Sequence, residues 1–166
     1  SGVDQSLLGA SIQSPELDAW WQEFTTLDLP ALPGEKYAEK TISIPFSGHR
    51  LTAKYDLLVI EPGRKITIYD WKTSAYLPKA TNLLGRLQSI VYPFVLRKSI
   101  TDQEEAIEMM EEIEMIYWFP AHPARPIRFQ YSNDRFLQDG ELLTGLVNEI
   151  VENDEGWFNR TSDQSR

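Results

Sequence analysis

The stretch Tyr55–Ser74, YDLLVIEPGRKITIYDWKTS, decides the fold. Arg50 to Ile60 runs apolar in strand fashion, and a second apolar strand begins near Ile66. Between them Glu61-Pro62-Gly63-Arg64 has Pro then Gly at its central positions, the chemistry of a type II turn. Folding at Pro62-Gly63 makes a hairpin in which positions summing to about 125 or 126 face each other, so Asp56 faces the Tyr69–Asp70 region. Directly paired side chains lie within about 5.5 Å, where two carboxylates repel unless they share a cation. Lys72 stands two residues past Asp70, and the two-residue period of a strand points both side chains to one face.

Outward from the hairpin, Glu39 to Pro45 reads as a strand that turns at Ser47-Gly48-His49, making a three-strand meander. Upstream, Ser14-Pro15-Glu16-Leu17 predicts a helix start with Ser14 as N-cap, continuing through Trp20, Trp21 and Phe24 to about Thr26. Downstream, Leu83, Leu84, Leu87, Val91, Phe94 and Val95 recur at helical spacing and predict one helix from about Thr81 to Lys98, bent by Pro93. A helix over Gln103 to Glu112, strands over Met115 to Pro120 and Pro126 to Tyr131, and a helix from Asn133 to about Glu152 complete the order. This is an α/β fold, a central mixed sheet flanked by helices, in one domain spanning 1–166.

The 166 residues, 42% hydrophobic, suffice for one core. No cysteine is present, so disulfides and cysteine-ligated metal sites are excluded within these residues. No apolar run approaches a membrane span, no secretory pattern opens the chain, and a cytoplasmic location is the default expectation. Net charge is −9, the wrong sign for holding nucleic acid through a broad cationic surface. Asp102 to Glu114 carries Asp102, Glu104, Glu105, Glu108, Glu111, Glu112 and Glu114 with no Lys or Arg, the pattern of a solvated helix face.

Asp56 and Asp70 are hard oxygen ligands suited to Mg²⁺, with Mn²⁺ able to substitute. A lysine beside them can orient a water, assist its deprotonation or stabilise charge developing on a phosphate, which fits phosphodiester hydrolysis. On the next helix Gln88 and Tyr92 are four residues apart and share a face, offering neutral donors, while Arg86 lies on another side.

These residues together resemble the PD-(D/E)XK nuclease superfamily, in particular its RecB-like exonuclease branch. The likeness is close from Glu39 to Tyr92 and continues by element order. Tyr55-Asp56-Leu57 matches the family's first strand acid, and Asp70-Trp71-Lys72-Thr73 its Asp-Tyr-Lys-Thr strand end. Gln88-Ser89-Ile90-Val91-Tyr92 matches the branch's Gln-x-x-x-Tyr helix. The resemblance implies a restriction-endonuclease-like core and a Mg²⁺-dependent deoxyribonuclease working in DNA repair. By it Asp56, Asp70 and the Trp71 main-chain carbonyl hold the metal, Lys72 is catalytic, and Gln88 and Tyr92 support the site. DNA is the implied partner, with a helicase or another nuclease-complex subunit as a further candidate and no membrane.

Two departures accompany the likeness. The His and Glu that many relatives carry on an earlier helix have no His counterpart here, leaving Glu16 and Glu23 as the available carboxylates. The cysteine cluster that follows a segment like Trp157-Phe158-Asn159-Arg160-Thr161 in some members is absent, so the chain is expected to be the core of a longer protein. The rival expectation is a non-catalytic DNA-binding or scaffold module that keeps the fold. His49 and His122 read as surface residues, Trp20 and Trp21 as cover for the core, and Glu39 as a structural strand residue.

Overall fold

A computed structural model of the chain describes residues 14–27, 29–101 and 112–162. Helix α1 (Pro15–Thr26) leads through a single 3-10 turn at Leu29–Ala31 into strand β1 (Glu35–Phe46). Strands β2 (His49–Glu61) and β3 (Lys65–Trp71) follow, then helices α2 (Ala80–Leu84) and α3 (Leu87–Thr101). Strands β4 (Glu112–Trp118) and β5 (Ile127–Gln130) and helix α4 (Asn133–Ser162) close the order. The strands form one sheet in sequence order, with β3 and β4 parallel and every other neighbouring pair antiparallel. A parallel pair needs a long crossover, and the segment carrying α2 and α3 supplies it.

The expected hairpin is present in the register Leu58↔Ile68, in which paired positions sum to 126. Arg64 N–H donates to the Glu61 carbonyl at 3.1 Å across the turn, and Gly63 has φ +71, as a type II turn requires. Most of the core lies between the sheet and α3. Tyr55, Leu58, Ile68 and Met115 from the strands meet Leu83, Ile90, Phe94 and Val95 from the helices. On the other face Trp71 and Trp118 pack edge-on to Phe24 of α1, at centroid distances of 5.6 and 6.2 Å. Trp20 and Trp21 remain half-buried beside them. No helix among the described residues is long and apolar enough to cross a membrane.

Three local expectations change, and a fourth lies almost wholly outside the described residues. The single helix over Thr81–Lys98 is two helices broken at Gly85-Arg86. The carbonyls freed at the end of α2 are taken up by tertiary donors: Ser89 Oγ donates to Leu83 O, and Arg135 Nη2 to Leu84 O. Ser14 occupies the N-cap position with extended backbone, but its side chain makes no capping bond. The helix over Gln103–Glu112 falls outside the described residues except for Glu112, which begins β4. Glu114, placed on a solvated helix face by its acidic neighbours, is buried in β4, ion-paired with Lys65 at 3.1 Å and Arg128 at 3.7 Å. Long-range cations compensate its charge, and no local pattern announces them.

The sheet's alternation slips by one at Asp56. Ala53 and Tyr55 belong to the α3-side core, and so does Leu58, whereas Leu57 does not. The β2–β3 ladder ends at Leu57↔Tyr69, the β1–β2 ladder skips the Glu39–Asp56 position, and Glu39 has φ +53. Such irregularities kink a strand and re-aim a side chain, here an acid.

Gly34, just before β1, has φ +97, and a Cβ there would sit 2.3 Å from the Ile60 carbonyl oxygen. Gly34→Ala is expected to lower the urea midpoint, by strain on the order of 1–3 kcal/mol before the clash is added. Gly63→Ala, with positive φ but open space, is expected to cost only about 1 kcal/mol. Equilibrium denaturation of both variants checks the ordering.

Candidate active site

Asp70 is the next-to-last residue of β3, held between β2 and β4, and its side chain is almost wholly buried at 2% exposure. A carboxylate taken out of water needs compensating charge and hydrogen bonds. Lys72 and Gln88 supply them: Lys72 Nζ lies 2.6 Å from Asp70 Oδ2, and Gln88 Nε2 donates to Asp70 Oδ1 at 2.5 Å. Lys72 Nζ also donates to Gln88 Oε1 at 2.7 Å. The Gln88 amide thus presents its donor end to the acid and its acceptor end to the ammonium, the one orientation that satisfies both.

Asp56 enters from β2 at the slip in the alternation. Its Oδ2 accepts the Trp71 main-chain N–H at 2.8 Å, so the acid of one strand is tied to the residue between Asp70 and Lys72 on the next. Burial raises the Asp70 carboxyl above the usual carboxylate range; Lys72 opposes this and the charge of Asp56 adds to it. The β3 main chain is fixed from the other side, where Lys72 N–H donates to the Trp118 carbonyl at 2.9 Å.

Of the residues expected here, Asp56, Asp70, Trp71, Lys72 and Gln88 come together. Gln88 is the second residue of α3, whose start hangs over the end of β3. Tyr92, one turn on, borders the group. Its ring packs on Tyr55 at 5.2 Å, and its carbonyl accepts the Tyr55 hydroxyl at 2.9 Å. Burial raises the Tyr92 hydroxyl, a hydrogen bond from Gln88 works against that, and the charges of Asp70 and Asp56 reinforce it. Glu39 is exposed and ion-paired with Lys54. His49 lies exposed at the hairpin end, and His122 Nε2 contacts the Ala75 carbonyl at 2.9 Å; neither joins the carboxylates.

Tyr117 is a neighbour that the residue pattern did not reveal. It sits on β4 directly beside Asp70 in the parallel register, fully buried, with Lys72 Nζ 5.3 Å from its ring centroid. Burial pushes its hydroxyl up to about 12, so it stays protonated near neutral pH. The only sequence signal is a tyrosine in the apolar run from Met115 to Phe119, and its pairing with Asp70 depends on a parallel ladder that local pattern cannot specify.

Among the described residues no three His, Cys, Asp or Glu side chains converge on one point. The donor chemistry nevertheless fits a hard divalent cation: Asp70 Oδ2 is buried with no hydrogen bond of good geometry, and a second carboxylate lies one strand away. Magnesium accepts one or two carboxylates, completing its shell with water and substrate phosphate.

The sequence matches the PD-(D/E)XK nuclease superfamily over residues 9–164, nearly the whole chain. The chain belongs to that superfamily, whose members hydrolyse phosphodiester bonds, and its mixed sheet flanked by helices is the superfamily's restriction-endonuclease-like core. A solved protein from Eubacterium rectale, provisionally named an exonuclease, superposes with a TM-score of 0.50 at 11% identity, over 94% of this chain and 70% of its own. SSO0001 superposes at 0.40 with 12% identity, over 84% of this chain and 66% of its own, too loosely to carry an argument. No curated protein matches the sequence.

The burial of Asp70 sets a pH test. A carboxyl raised on folding holds its proton more tightly in the native state, so its contribution to stability is complete below the ordinary carboxylate range and is lost as pH rises through the folded value. Lys72→Ala removes the cation that limits this loss. In metal-free buffer the variant is expected to match the wild type near about pH 4 and to fall below it by on the order of 2 kcal/mol near about pH 8. Urea titrations at both pH values check this; a deficit independent of pH would contradict it.

Proposed function

We propose that this chain is a metal-dependent DNA nuclease of the RecB-like type, with Asp56, Asp70, Lys72, Gln88 and Tyr92 as its working residues. The observation that carries the reading is the closed network of Asp70, Lys72 and Gln88 with Asp56 tied to the intervening Trp71. Asp56, Asp70 and the Trp71 carbonyl would hold Mg²⁺, or Mn²⁺ in its place, and the cation would supply Lewis-acid polarisation of the scissile phosphate. Lys72 carries its ammonium at the rim of the buried acid, 23% exposed, where it can meet a phosphate oxygen or orient an attacking water. Gln88 fixes both Asp70 and Lys72, so that neither has to reorganise when substrate arrives. Tyr92 lies beside Gln88 and would close one side of the group around the acids. The Gln88 to Tyr92 spacing supports the RecB-like branch in particular.

Substrate holding is a separate matter from chemistry. Affinity for DNA sums many phosphate contacts and weakens steeply with salt, and a chain of net charge −9 is poorly equipped for it. A helicase or another nuclease subunit, in a cytoplasmic DNA-repair assembly, would supply that cationic surface. The same charge, together with the missing first-helix His, favours a second reading, a scaffold module that keeps the fold without turnover.

Nuclease assays separate the two. The wild type is expected to cleave DNA weakly at low salt with Mg²⁺ or Mn²⁺ and not with EDTA. Asp70→Ala and Lys72→Ala are each expected to lose at least about a hundredfold in rate, and His49→Ala to retain it. Equal cleavage by wild type and Asp70→Ala would mean contamination and end the enzyme reading. No cleavage by folded protein, with no cation bound in Mn²⁺-soaked crystals, would favour the scaffold.

A further inference from the structure

We propose that Tyr117 is a positioning residue for Lys72, its aromatic face serving as the seat against which the ammonium is held. This rests on the nuclease reading for its consequence in catalysis, but not for its geometry. Lys72 Nζ is 5.3 Å from the Tyr117 ring centroid, within the roughly 6 Å over which a cation is attracted to an aromatic face. Asp70 and Gln88 bind the same nitrogen through oxygen atoms at 2.6 and 2.7 Å. Two acceptors leave a flexible four-carbon side chain free to pivot about them, and a third contact removes that freedom.

The ring can act as a seat because it is itself braced. Ser89 Oγ donates its one proton to Leu83 O, so in the 2.7 Å contact between Ser89 Oγ and the Tyr117 hydroxyl the tyrosine must be the donor. That chain joins β4 to the end of α2 and the first turn of α3. On another side the ring packs against Phe129 at 5.9 Å, and the strand beneath it is paired with β3 at Asp70 itself. A tyrosine that only filled the core would need a partner for its buried hydroxyl, but not the ammonium above its ring. The same helix turn thus fixes Lys72 twice: directly through Gln88, and through Ser89 by way of Tyr117.

Two measurements on the whole chain test this. In proton–carbon NMR spectra with the Lys72 resonances assigned through Lys72→Arg, the ε-methylene signals are expected to be displaced upfield by the ring current in wild type. They are expected to return to ordinary lysine positions in Tyr117→Leu, and part of the way in Ser89→Ala and Tyr117→Phe, each of which removes the hydroxyl's hydrogen bond. In cleavage assays Tyr117→Leu is expected to lose about tenfold in kcat with KM changed less than about twofold, while Tyr117→Phe stays within about threefold of wild type. Undisplaced Lys72 signals in the wild type overturn the proposal whether or not the leucine variant folds. So does a folded Tyr117→Leu with unchanged spectrum and rate. A wild type that shows the displacement but cleaves nothing refutes the nuclease reading and leaves the seat for Lys72 standing.

Discussion

Removing the Asp70 carboxylate from water is the constraint around which this end of the molecule is organised. An isolated buried acid either takes up a proton or unfolds its surroundings, and only a close cation with satisfied hydrogen bonds lets it remain charged. Lys72 supplies the cation at 2.6 Å and Gln88 a hydrogen bond to Oδ1 at 2.5 Å, and each comes from a different element. The end of β3 and the start of α3 are thereby fixed to each other. The two-helix break at Gly85-Arg86 belongs to the same requirement, since it sets where α3 begins and hence where Gln88 hangs.

The second acid depends on an imperfection in the sheet. Were β2 regular through Asp56, Tyr55 and Leu58 could not both face the α3-side core. The slip costs ladder pairing on both sides of Asp56 and a left-handed backbone at Glu39. What it provides is an acid free of the ladder, with its oxygen on the Trp71 amide beside Asp70. A regular strand would have been easier to fold and would have left that amide without the carboxylate.

The net charge of −9 and the local chemistry of the cleft point in different directions, and both can hold because they act over different distances. Surface charges beyond roughly 10 Å are largely screened at ordinary salt, whereas contacts below 3 Å in a buried site are not. The group proposed around Asp70 can therefore suit one phosphate on a protein whose surface offers a polyanion no excess of positive charge.

The order of the strands, the hairpin at Pro62-Gly63 and the convergence of Asp56, Asp70, Lys72 and Gln88 were legible in the sequence. The hairpin and the shared face of Asp70 and Lys72 follow from short-range rules, turn chemistry and the two-residue period of strands, whereas Asp56 reaches the group through the slip in β2. The break at Gly85, the burial of Glu114 and the part played by Tyr117 and Ser89 were not. The break leaves carbonyls at the end of α2 to which Ser89 and Arg135 donate, and Glu114 reads as a solvated acid until Lys65 and Arg128 approach it. Tyr117 meets Asp70 through a parallel ladder across a long crossover, whose register no local pattern encodes. The sequence by itself determined which polar groups come together at the end of β3, because those groups sit on one hairpin and the next helix. Only the tertiary structure decided what braces them, because burial and parallel pairing bring together residues far apart in the chain.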